Sequence, residues 1–167
     1  MSMPPDTWMP HEQWDALVRG ETCPACQELQ SVIPVNEYGF TITDLPMSRL
    51  RLANNQFVPG YCVLICKRHV QEPYHLPRTQ YLQFFADMTL VAQALERVFQ
   101  PIKMNFQLLG NAVPHLHAHI VPRYYGDAAP HRPIDPNMDM LQLSMEQAEA
   151  RAQAIRDALT MLVTTVA

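Results

Sequence analysis

Residues 111–123 read NAVPHLHAHIVPR, with histidines at alternate positions, His115, His117 and His119, and Leu116, Ala118 and Ile120 between them. In a β-strand successive side chains point to opposite faces, so residues two apart share a face. The spacing therefore predicts a strand over 115–121 that lines three imidazoles on one surface and buries aliphatic side chains beneath them. Pro114 has no N–H to donate and marks where ladder pairing begins.

Outward from this strand, the pattern predicts an α+β domain. A strand over 102–109, joined to the histidine strand by a turn at Gly110 and Asn111, makes an antiparallel hairpin. Before it, Leu82, Phe85, Met88, Val91, Ala92 and Leu95 form an apolar stripe over 77–99, a long helix with Pro77 in its first turn. Shorter strands are expected at 38–43, 50–53 and 61–67, and a short helix at 12–18 that Gly20 ends. The sequence CPAC at 23–26 reads as a turn. Downstream, 124–143 is rich in Pro, Asp and Met without periodicity, a long loop. Ser144 and Gln147 then form a capping box that opens a final helix over 144–164. Residues 1–10 hold three prolines and read as a loose arm.

Composition narrows the classes of function. The 167 residues suit one domain, and 48% hydrophobic with 17% charged residues is the profile of a packed globular chain. Twelve Lys and Arg against sixteen Asp and Glu give a net charge of -4 with no basic run, which argues against a phosphate-neutralising grip on nucleic acid. Apolar stretches such as YCVLIC at 61–66 are too short to cross a bilayer, and the first residues lack the basic and apolar regions of a signal peptide. A cytoplasmic protein is expected. Cys62 and Cys66 lie too far apart on one strand to bridge, which leaves Cys23 and Cys26 as a working pair.

Three histidines on one face have three readings. They could be ordinary strand residues. They could ligate a catalytic metal, although neither the strand nor the turn before it carries a carboxylate to orient them. Or a neutral imidazole could attack an electrophilic phosphorus while its neighbours hold the phosphoryl oxygens.

The run HLHAHIV, His-φ-His-φ-His-φ-φ, resembles the signature of the histidine triad (HIT) family of nucleotide hydrolases and transferases. Gly110 to Val113 before it, Pro122-Arg123 after it and the element order from Tyr38 to Arg123 are similar to that family as well. The resemblance implies a HIT-like fold, a central antiparallel sheet with one long helix and a C-terminal helix, in a homodimer. It implies attack by His117 on the α-phosphate of a nucleoside polyphosphate, of diadenosine polyphosphate type, or of a nucleoside phosphoramidate. A nucleotidyl-histidine would form, which water then hydrolyses. His119 would contact the phosphate and help the leaving group. Asn111 stands where the family usually has a Gln near the leaving group, and Asn105 resembles an Asn near the phosphate. As Asn is a common turn residue, either could instead serve local structure.

Cys23-Pro-Ala-Cys26 could be a redox dithiol or half of a tetrahedral zinc site. A thioredoxin-like pair should follow a buried strand, and too little chain precedes this one. Zinc needs two further ligands, for which His69 and His115 are the candidates. That set agrees with a zinc-containing branch of the resembled family, in which the zinc is structural. It would leave only His117 and His119 for the phosphate. His11 and His75 read as surface residues, and His131 could reach the site only through the 124–143 loop.

The sequence also departs from the family. The acidic residue that commonly binds the ribose is absent from Leu52-Ala53-Asn54-Asn55-Gln56, where Asn54 is the candidate replacement, and Gly60-Tyr61 stands where a Gly-His pair is common. A neutral acceptor should hold a ribose more weakly than a carboxylate. A nucleotide-binding module with little turnover is therefore a second expectation.

Overall fold

The computed structural model describes residues 7–135 and 139–166. Residues 1–6 of the expected arm and 136–138 of the expected loop lie outside it. Among the described residues, helices α1 (His11–Val18) and α2 (Pro24–Gln30) lead into strands β1 (Val35–Asn36), β2 (Gly39–Asp44), β3 (Ser48–Ala53) and β4 (Cys62–Cys66). Helix α3 (Arg78–Phe99), strands β5 (Lys103–Gln107) and β6 (His117–Arg123) and helix α4 (Met145–Val166) complete the order. The strands form one antiparallel sheet in the order β1-β2-β3-β4-β6-β5, and α3 carries the chain from β4 to the far edge at β5.

Helices α3 and α4 cover one face of the sheet. Leu50, Leu52, Leu64, Ala118 and Ile120 point into this core, where Phe84, Val91 and Leu95 of α3 and Ile155 and Leu159 of α4 meet them. The alternation in the histidine strand is thus real, with Ala118 and Ile120 fully buried. On the opposite face, register places Ile65 beside His117, and Val63 beside His119. Arg51 lies on the far side of Val63, and Gln107 on the far side of His119.

Four expectations change. CPAC is not a turn: Pro24, with its fixed φ, opens α2, and Cys23 is its N-cap. His115 lies before β6 rather than within it, because Pro114 delays pairing. The link from β5 to β6 is the loop 108–116 rather than a tight turn. The buried stripe of α3 runs through Phe84, Asp87, Met88, Val91 and Leu95, so that Leu82 is 53% exposed. The described residues of 124–143 are irregular apart from a bridge from Gln142 to Asn55, and the Ser144–Gln147 box forms as expected, Gln147 N–H to Ser144 Oγ at 3.2 Å and Ser144 N–H to Gln147 Oε1 at 3.0 Å.

Asp87 explains the shift of the stripe. Its carboxylate accepts from Met47 N–H at 2.8 Å, Ser48 Oγ at 2.7 Å and Gln83 Nε2 at 2.8 Å, clamping α3 to the start of β3. Asp87→Ala strands the buried Ser48 hydroxyl and the half-buried Met47 N–H and removes charge-assisted bonds, an expected loss of about 3 kcal/mol, read as a lower urea midpoint.

Candidate functional site

Two groups of residues meet near the start of β6. The first is Cys23, Cys26, His69 and His115, whose ligand atoms all lie within 4.8 Å of one another. Cys23 Sγ is 3.4 Å and Cys26 Sγ 3.6 Å from His115 Nδ1; Cys26 Sγ is 3.3 Å from His69 Nδ1, and the two Nδ1 atoms are 3.1 Å apart. Tetrahedral metal bonds of about 2.3 Å to sulfur and 2.0–2.1 Å to nitrogen require neighbouring ligands about 3.3–3.8 Å apart, close to this spacing.

Hydrogen bonds behind the rings fix their tautomers. His69 Nε2 donates to the Val18 carbonyl at 2.8 Å and His115 Nε2 to the Cys66 carbonyl at 2.7 Å, so both Nδ1 lone pairs face the centre of the cluster. Two lone pairs at that distance repel unless a cation lies between them. Burial, ahead of smaller effects, lowers His115 to about 4, so it is neutral, the form that ligates a metal. Burial, then the neighbouring Cys23, raises the Cys26 thiol to about 11, and a cation is what would release its proton. These four residues can hold a metal ion.

The second group lines a cleft of about 350 Å³ on the uncovered face of the sheet. His117 and His119 form its floor with Val63 and Ile65, and Pro24 and Ala25 of α2 form a wall beside the metal-binding cluster. Nδ1 of His117 lies 2.6 Å from the His115 carbonyl, which can only accept, so Nδ1 carries the proton and Nε2 keeps its lone pair. The His119 ring stands 5.0 Å from it, centroid to centroid, and its Nδ1 is 2.6 Å from the Tyr61 hydroxyl.

Arg51 and Glu28 also line the cleft as a buried ion pair, with Asn36 and the Gly39 carbonyl bonded to its ends. Burial lowers Arg51 to about 10, which leaves it charged at neutral pH.

Burial, ahead of the neighbouring His117, lowers His119 to about 4. Between the ordinary value of 6.5 and about 4, the unfolded chain binds the proton that the folded one refuses. Stability therefore rises with pH through this window and falls as the pH drops. The slope of melting temperature against pH just below 6.5 should be shallower in His119→Asn.

The candidate residues divide. Asn54 lines the cleft, and its Nδ2 donates to the Glu37 carbonyl at 3.2 Å. Asn105 faces a separate cleft, its Oδ1 accepting from Arg123 Nη1 at 2.8 Å; His131 lines that cleft too. Asn111 is exposed in the 108–116 loop and is not among the residues lining the histidine cleft. Gln56 is a buried staple that holds the Ala53 and Tyr61 carbonyls and the Gly60 N–H. Asn55 accepts Leu141 N–H at 3.0 Å and donates to the Asp139 carbonyl at 2.5 Å, which fastens the segment carrying Met140 at the rim.

The model of the HIT domain matches residues 36–126, more than half of the chain and strands β2 to β6 in full. The chain belongs to the HIT family. A histidine triad protein from Bradyrhizobium japonicum superposes with a TM-score of 0.66 at 30% identity, covering 74% of this chain and 92% of that one. A Zn-bound histidine triad protein from Mycobacterium smegmatis superposes with a TM-score of 0.62 at 22% identity, over 87% and 98% of the two chains, which is a likeness of fold. The asymmetrical bis(5'-nucleosyl)-tetraphosphatase of Schizosaccharomyces pombe is 29% identical over 102 residues, 58% of this chain and 55% of its own length. The chain spans about half the length of the curated relatives it matches.

Sequence reasoning missed the role of Tyr61. The residues around it show only that a histidine is absent there, and Gly60 carries the signal. At φ +80°, with a Cβ position 2.7 Å from the Phe99 ring, Gly60 allows the tight entry into β4 that brings Tyr61 onto the cleft face.

Proposed function

We propose that this HIT protein acts at the α-phosphate of nucleoside polyphosphates of the diadenosine polyphosphate type, or of nucleoside phosphoramidates, through a nucleotidyl-histidine. The observation that carries this reading is the His117 tautomer: a backbone carbonyl holds Nδ1–H and leaves the Nε2 lone pair available in the cleft. His117 attacks phosphorus, the leaving group departs, and water releases the nucleoside monophosphate. His119 donates a hydrogen bond to a phosphoryl oxygen. Asn54 contributes at the sugar end, where no carboxylate stands at the family position, and Asn105 and Asn111 act at the phosphate only if the substrate extends beyond the cleft.

Zinc is the metal we assign to Cys23, Cys26, His69 and His115, since two thiolates and two imidazoles at tetrahedral spacing suit it, and the M. smegmatis relative carries zinc. All four positions are taken by protein, so the zinc would be structural and would tie α2 to the segment leaving β4 and to the entry of β6. We also read the chain as one domain, a cytoplasmic protein in keeping with its free cysteines, and a homodimer, supported by exposed Ile102, Phe106, Leu108 and Leu109 on and beside the edge strand β5.

Release of AMP on incubation with diadenosine tetraphosphate or an adenosine phosphoramidate is the expected result. Saturable binding of both without any AMP would favour the module of little turnover, which the missing ribose carboxylate supports.

A further inference from the structure

Tyr61 is 4% exposed, and its ring stacks on His119 at 5.9 Å between centroids with the hydroxyl 2.6 Å from Nδ1. We infer that Tyr61 is a positioning residue that holds His119 as the neutral tautomer with its proton on Nε2, and that this pairing selects nucleoside polyphosphates over phosphoramidates. The inference rests on the reading of His117 as nucleophile and names the substrate within it.

The tautomer follows from what the cleft must bind. With the Tyr61 hydroxyl donating to Nδ1, the Nε2–H of His119 is free to donate to a phosphoryl oxygen. The reverse arrangement would turn an Nε2 lone pair toward an anion. A neutral imidazole can donate a hydrogen bond, but to give its proton away it must become an imidazolate, which a buried site does not favour. Burial and the adjacent His117 oppose the imidazolium that could act as an acid. Tyr61 is no source of protons either, because burial first, then Cys62 and Asp135, push its phenol well above the ordinary range. The pair offers hydrogen bonds and no acid.

That difference separates the two substrates. With a polyphosphate, the His117 Nε2 lone pair forms the P–N bond as the P–O bond breaks. The bonding pair leaves on a phosphate oxygen that is stable as an anion, and no proton is consumed. Water then attacks phosphorus, the P–N pair returns to Nε2, and the proton of water passes to solvent. With a phosphoramidate the electron pair would leave on nitrogen, which departs as an amine only if it receives a proton.

The test measures kcat and KM of the metal-loaded protein on diadenosine tetraphosphate and on an adenosine phosphoramidate with an alkylamine leaving group. General acid catalysis contributes about 10²–10⁴-fold, so wild type should favour the polyphosphate by about a hundredfold or more in kcat/KM. Tyr61→Phe keeps the ring and should lower kcat on the polyphosphate by about tenfold with little change in KM, as loss of one oriented donor would. Tyr61→His, which places a protonatable group against Nδ1, should narrow the preference. Long-range 1H–15N NMR of wild type near neutral pH should find His119 protonated on Nε2 alone. Comparable kcat/KM for both substrates in wild type, or a His119 carrying its proton on Nδ1, overturns the inference and leaves the nucleophile intact. No AMP from either substrate overturns the functional reading and this inference together.

Discussion

His117→Ala is expected to lower AMP release from a diadenosine polyphosphate by about 10³-fold or more, the scale of losing a nucleophile rather than a supporting contact. The ring is half-buried on the open face, its Nδ1 bound to a backbone carbonyl, and the core packing beneath it comes from Ala118 and Ile120. Its removal should therefore leave melting temperature and metal content close to those of wild type. By contrast, His119→Ala removes a donor to the phosphoryl group and should cost less, about 10²–10³-fold. Equal activity of His117→Ala and wild type in steady-state AMP release would remove His117 from the chemistry.

Cys23→Ser is expected to act on stability. Cys23 is 1% exposed and caps α2, and the four ligands come from three separated stretches of chain, so the metal closes long loops. A serine cannot replace the thiolate, and the remaining Nδ1 atoms, 3.1 Å apart, are left repelling each other. A loss of about 3–5 kcal/mol corresponds to a melting temperature lower by about 10 °C for a chain of this size. A chelator should act in the same direction on wild type and have little further effect on the variant. Elemental analysis of the purified protein should find one zinc per chain. An unchanged melting temperature together with no zinc would reject the metal site.

Much of this arrangement was legible in the sequence because the relevant signals are periodic. The alternation in 115–121 identifies the strand and its buried side, and the 77–99 pattern identifies the long helix. Cys23, Cys26, His69 and His115 could be grouped because their chemistry is distinctive, and the fold brings them together. Other features depend on contacts between distant residues. Asp87 is a carboxylate inside a helical stripe, and nothing local reveals the donors of Met47 and Ser48 that make its burial favourable. Asn54 is the candidate sugar ligand and lines the cleft, whereas nothing local reveals that its neighbours Asn55 and Gln56 spend their amides on backbone groups of the 139–141 segment and of Ala53 and Tyr61. Nor does the sequence reveal that the register of β5 places Asn105 diagonally across from Arg123, from whose guanidinium its Oδ1 accepts. Tyr61 was visible only as a departure, since its partner His119 is fifty-eight residues away.

The division of the three histidines also has a physical cause. Pro114 keeps His115 out of the ladder, so its ring turns into the cysteine cluster and is held there by the Cys66 carbonyl. His117 and His119 are in register with Ile65 and Val63 and stay on the cleft face. Alternation gives all three the same nominal direction, and the point at which pairing begins separates them.

The most direct test of the covalent reading is to mix the protein with a diadenosine polyphosphate, quench rapidly in base, where phosphohistidines survive, and locate the added mass by peptide mass spectrometry. An AMP adduct on the peptide containing His117, assigned to that ring and absent in His117→Ala, is the expected result. Rapid AMP release with no trapped adduct, or an adduct on any other residue, would contradict it.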